Sequence, residues 1–174
     1  MLEGISPAII LQKTLEISDD DTSVTLEDKL SQMAAGLLID SLEFIRNNNY
    51  QLSPQDEGKV SFAPKLKKED GLVHWHKSAR EIHNLVRGIL SWPGAFTYYN
   101  GKLLKIYKTE VYAQTAISIS PGEILEISKD GICLATGKNS LIIRELQIEG
   151  KRKMTAAEFI AGHKIRAGES LGKI

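Results

Sequence analysis

The chain has a single cysteine, Cys133, in 174 residues. One thiol excludes an internal disulfide and any cysteine-based zinc cluster, and it suits a reducing cytoplasm. Within the apolar run GICLAT (131–136) it reads as a small buried hydrophobe. Long hydrophobic runs are also missing, since none approaches the roughly 18 residues that a membrane span needs. The first residues, MLEGISPAIILQK, have no basic stretch ahead of their apolar part, which excludes the pattern of a secretion signal. No glycine loop of the phosphate-cradling kind occurs, and Ser6 has no base near it in sequence. There is no internal repeat and no low-complexity tract.

The formal charge of zero hides two unlike halves. Residues 1–60 hold 4 Lys/Arg against 11 Asp/Glu, a net of −7, and residues 61–174 hold 18 against 11, a net of +7. A basic half rich in short polar strands points to a polyanion partner, with nucleic acid the foremost candidate. The change of sign falls at FAPKLKKEDGLVHW (62–75), where Lys65, Lys67 and Lys68 crowd together.

Residues 5–17 read as an extended segment, and Thr25-Leu26-Glu27-Asp28 as a helix cap. Leu26, Leu30, Met33, Leu37, Leu38, Leu42 and Ile45 then recur at helical spacing, and Asn47, Asn48 and Asn49 end the helix. One strand and one helix cannot close a core, so residues 1–48 read as the tail of a larger α/β domain or as an appendage docked on a partner. Residues 49–70 form a polar linker with Pro54 and Pro64. Ser78-Ala79-Arg80-Glu81 caps a second helix, whose apolar stripe is Ile82, Leu85, Val86 and Ile89 and which Pro93 stops.

Short strands follow. Segments 95–99 and 102–107 flank Asn100-Gly101, a two-residue hairpin signal. Further strands are read at 110–113, 122–127, 131–135 and 140–148, and a last short helix opens at Thr155. The predicted fold class is α+β and mostly β: a partial α/β, Rossmann-like remnant, then a small OB-like β-barrel with short helices. The predicted domains are 1–48, a linker 49–70, and 71–174. His74 and His76 share one face of an extended segment, but no third ligand is in view, so no metal site is expected. Trp75 and Trp92 read as packing residues, and one of Tyr98 and Tyr99 is expected to face outward. Lys102, Lys105 and Lys108 recur every third residue, so they do not share one strand face.

Several segments together resemble the C-terminal part of the methionyl-tRNA formyltransferase family. They are FAPKLKKEDG (62–71) with the aromatic after it, WPGA (92–95), GKLLKI (101–106) and ELQIEGKRKMTAAEFIAGH (145–163), then Gly168 and Gly172. The resemblance runs in order along nearly the whole chain. It implies that residues 1–48 correspond to the end of a catalytic domain, and that residues from about 65 onward correspond to an OB-like domain that helps to hold tRNA. The family transfers a formyl group from 10-formyltetrahydrofolate to the amino group of methionyl initiator tRNA during translation initiation in the cytoplasm.

Departures from the family pattern bear on catalysis. The family's Asn and His lie in an H-x-S-L-L-P motif, which does not occur here; the four histidines are His74, His76, His83 and His163. The family's catalytic Asp lies in G-L-D-T-G, and the matching register is Gly4-Ile5-Ser6-Pro7-Ala8. Ser6 thus stands where the carboxylate would be, and a hydroxyl cannot hold the charge that a carboxylate offers. His74 stands where the family often has Asp before Trp.

No catalytic residue is therefore assigned, and no cofactor is expected on this chain. The phosphate-contact candidates are Lys65, Lys67 and Lys68 in the linker and Lys151, Arg152 and Lys153 in the turn before the last helix. The expected partners are initiator methionyl-tRNA and either a separate N-terminal formyltransferase domain or a second copy docking at residues 1–48. The altered GISPA segment and the start at Met1 favour a degenerate or split gene. Rival readings are a stand-alone RNA-binding module, an enzyme assembled in trans, and a folate-linked hydrolase or dehydrogenase with the same C-terminal module. The Lys-Arg-Lys turn favours a tRNA reader over the last of these. The purified chain alone is expected to show no turnover of formyl donor with charged initiator tRNA. Turnover above background would contradict that expectation.

Overall fold

The computed structural model describes residues 8–113 and 119–172. The chain divides into two compact units, Met1–Lys65 and Leu66–Ile174.

The N-terminal unit is built on one long helix, α1 (Ser23–Arg46). Its cap is Thr22, three residues earlier than the sequence reading put it. The Thr22 hydroxyl accepts from the Thr25 N–H at 3.2 Å, and the Thr22 N–H donates to the Thr25 hydroxyl at 2.9 Å. Thr25 is therefore already inside the helix. Asp21 holds this corner together: its carboxylate accepts from Lys29 at 2.6 Å, from the Ser18 N–H at 2.9 Å and from the Thr25 hydroxyl at 3.1 Å. Led by the Lys29 ammonium, these donors hold the Asp21 carboxyl well below the usual carboxylate range. At the other end Asn48 takes a positive φ of 52°, and the Asn49 N–H reaches back to Phe44 O at 2.9 Å, which ends the helix.

No residue of α1 is buried. Leu26, Met33 and Leu37 are half-buried, while Leu30, Leu38, Leu42 and Ile45 are exposed. The expected strand at 5–17 does not form among its described residues. Ile9 pairs only with Ser53, through backbone bonds of 2.8 and 2.9 Å. An extended segment becomes a strand only when a neighbour takes up its whole ladder, and here one bridge is all it finds.

In the C-terminal unit a short 3-10 turn (Lys68–Gly71) leads to α2 (Ala79–Gly88), capped reciprocally by Ser78 and Glu81 as the sequence reading expected. Its Ala79, Ile82 and Val86 are buried, and removing a side chain such as Ile82 from water contributes about 1.5–3 kcal/mol. Six strands follow: β1 (Ala95–Tyr99), β2 (Lys102–Tyr112), β3 (Ile124–Ser128), β4 (Gly131–Ala135), β5 (Ser140–Ile148) and β6 (Met154–Thr155), with α3 (Ala156–Gly162) after them. All pair antiparallel in the order β1-β2-β5-β4-β3, and β6 adds to β5. Asn100 and Gly101, both at positive φ, make the hairpin turn.

One strand, β2, replaces the two that were read at 102–107 and 110–113. The pairing register shifts between Ile106 and Thr109, so the strand carries a bulge there rather than a break. Thr109 points inward after the bulge, and its hydroxyl meets the His83 ring of α2 at 3.0 Å. A polar residue that looked like an interruption is thus a satisfied core residue.

The six-stranded ladder is not closed by strand pairing: β1 and β3 are its two ends. Residues 168–172 run across that gap. Ile124 N–H donates to Glu169 O and Gly168 N–H to Ile124 O, both at 2.8 Å, on the β3 side. Gly172 N–H donates to Tyr98 O at 2.8 Å on the β1 side. Gly168 and Gly172 both take positive φ, which this path requires. Trp75 lies beneath the gap, buried, with its indole N–H donating to the Thr97 hydroxyl at 3.2 Å. α2 packs on β2 and α3 on β5, and Phe159 of α3 is fully buried against Tyr99.

The Gly137 N–H donates to both Trp75 O and Lys77 O, and a Cβ there would lie 1.9 Å from His76 O. Gly137→Ala is expected to destabilise the unit by roughly 3 kcal/mol. Gly88→Ala, where nothing lies within 4 Å, should stay within about 0.5 kcal/mol of the parent. Thermal melts of the two variants check this contrast.

Candidate nucleic-acid interface

Side chains alternate across a sheet, and directly paired residues of neighbouring strands share a face. Ala95, Thr97 and Tyr99 of β1 point into the core, so Phe96 and Tyr98 point out. The register pairs Phe96 with Lys105 and Lys105 with Gln147, and it pairs Lys108 with Glu145. Phe96, Lys105 and Gln147 therefore form one outward row across three strands. At its near end Leu72 bridges Phe96, which brings up the turn that carries Lys67 and Lys68. At its far end the Gln147 amide donates to Lys151 O at 2.6 Å. Strands lie about 4.8 Å apart, so Leu72 and Gln147 are separated by about 14 Å.

The bulge decides which lysines face out. Lys105 lies before it and Lys108 after it, yet both are exposed on the outer face, because the extra residue restores the alternation. The three lysines do not all share one face, as expected, since Lys102 falls on the other one, but Lys105 and Lys108 do share theirs. Tyr107 sits at the bulge, its hydroxyl 2.7 Å from Gln147 Oε1. The Lys153 ammonium stands 5.0 Å from the Tyr107 ring centroid and 2.5 Å from Glu145.

The six candidate phosphate contacts fall in different settings. Lys67 and Lys68 are exposed on the turn, and the Lys67 N–H is taken by Asp70 at 2.6 Å. Lys151 and Lys153 border the far end of the row. Arg152 is turned to α3, with its guanidinium 2.7 Å from Glu158. Lys65 is the last residue of the N-terminal unit. Ser6 lies outside the described residues. Sequence reasoning missed Lys105, Lys108 and Gln147. The available signal was Thr109, an inward polar residue that shifts the alternation of β2 by one.

One aromatic expectation changes, that for Trp92, while the outward turn of one of Tyr98 and Tyr99 is as expected. Trp75 packs as expected, but Trp92 is 60% exposed. Tyr98 is half-buried, 6.0 Å from Phe96 in an edge-on pair, while Tyr99 is buried. His74 and His76 are exposed, and among the described residues no group of three His, Cys, Asp or Glu could hold a metal. Cys133 is half-buried, and burial pushes its thiol up. No helix among the described residues is long and apolar enough to cross a membrane.

A family model described as formyl transferase, C-terminal domain, matches residues 65–164. The methionyl-tRNA formyltransferase of Acetivibrio thermocellus is 42% identical over 165 residues, 95% of this chain and 53% of that protein. That of Citrifermentans bemidjiense is 39% identical over 165 residues, 95% of this chain and 51% of that one. The chain spans about half the length of the curated relatives it matches, and the match is to their C-terminal part. Among solved structures, a HypX variant from Aquifex aeolicus superposes with a TM-score of 0.62 at 18% identity, over 92% of this chain and 29% of that one. An N-formyltransferase from Helicobacter canadensis gives 0.60 at 20%, over 79% and 50%. These two likenesses concern the fold alone.

The Thr155 N–H and hydroxyl and the Arg152 guanidinium hold the Glu158 carboxyl down at about 2. A lowered carboxyl stabilises the fold above its ordinary value of 4.5, and that contribution is lost as the pH falls toward about 2. Glu158→Gln keeps a capping acceptor but not the charge. Its melting temperature should fall below the parent's at neutral pH, and the two should converge as the pH drops from about 4.5 to about 2. Melts across that range check it.

Proposed function

The chain belongs to the formyl transferase C-terminal domain family, and from that premise we propose that residues 66–172 are the tRNA-holding module of a methionyl-tRNA formyltransferase. The observation that carries this reading is the outward row of Phe96, Lys105 and Gln147. It joins the Lys67 and Lys68 turn to the Lys151 and Lys153 turn, so that two clusters more than 80 residues apart border one basic surface. Lysines on an open sheet face neutralise phosphates without reading sequence, as holding a folded RNA requires. Together with the tail that spans the gap between β1 and β3, the sheet is an OB-like barrel in this reading.

The chain contributes substrate binding and not bond making. In the reaction for which the relatives are named, the formyl donor would be held by the other half of such an enzyme, and no step is assigned to residues 8–172. The proposed domains are 1–48 and 71–174 with 49–70 as the linker, whose last residues, 66–70, group with the second compact unit. Residues 1–48 are the closing piece of a catalytic α/β domain, at work in translation initiation in the cytoplasm. The exposed leucines of α1 favour a second element of this reading: they dock on the rest of that domain, supplied in the same chain or in trans.

Affinity for initiator tRNA is expected to fall with salt, with a logarithmic slope of about −0.7 to −0.9 for each phosphate contact. Changing Lys65, Lys67 and Lys68 together to Ala, or Lys105 and Lys108 together, should weaken binding and flatten that slope. Stability should stay within about 0.5 kcal/mol of the parent. Initiator and elongator tRNA should lose affinity alike, because phosphate contacts carry no sequence information. Binding that is flat between about 50 and 200 mM salt, or variants that melt lower but bind like the parent, would overturn the reading.

A further inference from the structure

Trp92 is 60% exposed, whereas the chain's other tryptophan, Trp75, is 5% exposed. The loop that displays Trp92 is pinned. The Gly94 N–H donates to Ile89 O at 2.9 Å, and Gly94 takes a positive φ of 80°. A Cβ on Gly71 would lie 2.3 Å from Gly94 O, so the loop sits backbone against backbone on the turn that carries Lys67 and Lys68. On its other side, Gly94 directly precedes the Ala95 and Ile106 pair, and Tyr107 and Lys108 directly follow Ile106 on β2. The loop that carries the open indole therefore lies at the edge of the sheet, against the turn that carries Lys67 and Lys68 and next to the strand end that leads into Lys108.

We propose that Trp92 stacks on an unpaired base of the RNA whose phosphates the neighbouring lysines contact, which rests on the reading of that face as an RNA interface. Every base offers a π-face, and an aromatic ring beside cations is the arrangement that holds unpaired nucleotides. An indole has only two side-chain torsions, so a rigidly held loop presents it with little ordering cost. The charge around it selects the occupant. A protein surface covering Trp92 would have to supply a counter-charge for Lys67, Lys68 and Lys108, whereas one RNA strand brings phosphates and a flat base together.

The test uses the whole chain and three probes: initiator tRNA, a single-stranded oligouridylate, and a blunt RNA duplex. Tryptophan emission and its acrylamide quenching are read alongside binding of labelled RNA. The tRNA and the oligouridylate should quench the emission and shield it from acrylamide, while the duplex binds without doing so. Trp92→Ala should bind tRNA and oligouridylate roughly five- to a hundredfold more weakly, bind duplex as the parent does, and leave a Trp75 emission that RNA does not alter. Trp92→Phe should recover part of the affinity. Shielding of Trp92 in the parent is read without any variant, so a poorly folded variant does not decide the matter. If tRNA binds with the usual salt dependence but Trp92 stays open to acrylamide, or if duplex shields it equally, stacking is overturned and the lysine interface stands. If none of the three probes binds at low salt, the RNA reading itself falls and this inference falls with it. Shielding by a protein partner in place of RNA would also overturn it.

Discussion

Trp75 is buried, its N–H is held by Thr97, and two glycines, Gly122 and Gly172, lie against its ring. A Cβ on either would come within about 3.1 Å of the indole. The remaining order of the C-terminal unit depends on this contact. Gly172 belongs to the tail that bridges the two ends of the sheet, and the Gly122 carbonyl accepts from Leu171 in the same tail. The carbonyl of Trp75 in turn receives the Gly137 N–H, which ties the turn between β4 and β5 to the segment before α2. A ladder with two open ends exposes unpaired backbone groups. Here the tail takes up Ile124 and Tyr98, the Val73 N–H takes up Phe96 O, and the indole fills the space beneath.

The outer face follows from the same closure. With the core side committed to Leu104, Ile106, Ile143 and Leu146, alternation leaves Phe96, Lys105 and Gln147 no other direction. The bulge at Tyr107 then keeps Lys108 outside while Thr109 turns in to meet His83. The paired irregularity, Tyr107 on β2 and Arg144 on β5, thus serves two ends. It gives a buried hydroxyl its partner on α2, and it aligns two lysines that plain alternation would have separated. Across the row, Gln147 is held between the Tyr107 hydroxyl and Lys151 O, so its amide links the strand face to the Lys-Arg-Lys turn. Arg152 and Lys153 are both engaged by carboxylates, Arg152 by Glu158 at the start of α3, where it works for the helix cap, and Lys153 by Glu145 of β5.

The N-terminal unit is organised differently. α1 has a tightly satisfied cap around Asp21, Thr22 and Thr25, yet it buries no residue. Capping and a salt bridge from Lys13 to Asp40 at 3.3 Å hold local structure. A helix with exposed leucines on its surface lacks the tertiary burial that normally stabilises helices. This is the physical content of its contrast with α2, whose Ile82 and Val86 are fully covered.

Local chemistry made several features legible in the residues alone. Reciprocal caps at Ser78 with Glu81 and at Thr155 with Glu158 and the Asn100-Gly101 hairpin all depend on neighbours a few residues apart. The change of charge sign near residue 61 and the ordered motifs that carry the family resemblance needed no fold either. Other features depended on groups distant in sequence. The start of α1 lies at Thr22 because Thr22 and Thr25 cap each other and the Asp21 carboxylate gathers Ser18, Thr25 and Lys29 at that corner. Strand β2 ran through Lys108 because His83 reaches Thr109, and the segment at 5–17 found no ladder to join among its described residues. Trp92 is left open because the backbones of Gly71 and Gly94 meet beneath its loop. Periodicity assigns a side chain to a face only while the alternation is unbroken. Where a bulge or a close backbone approach intervenes, only the packed chain decides which side chains meet.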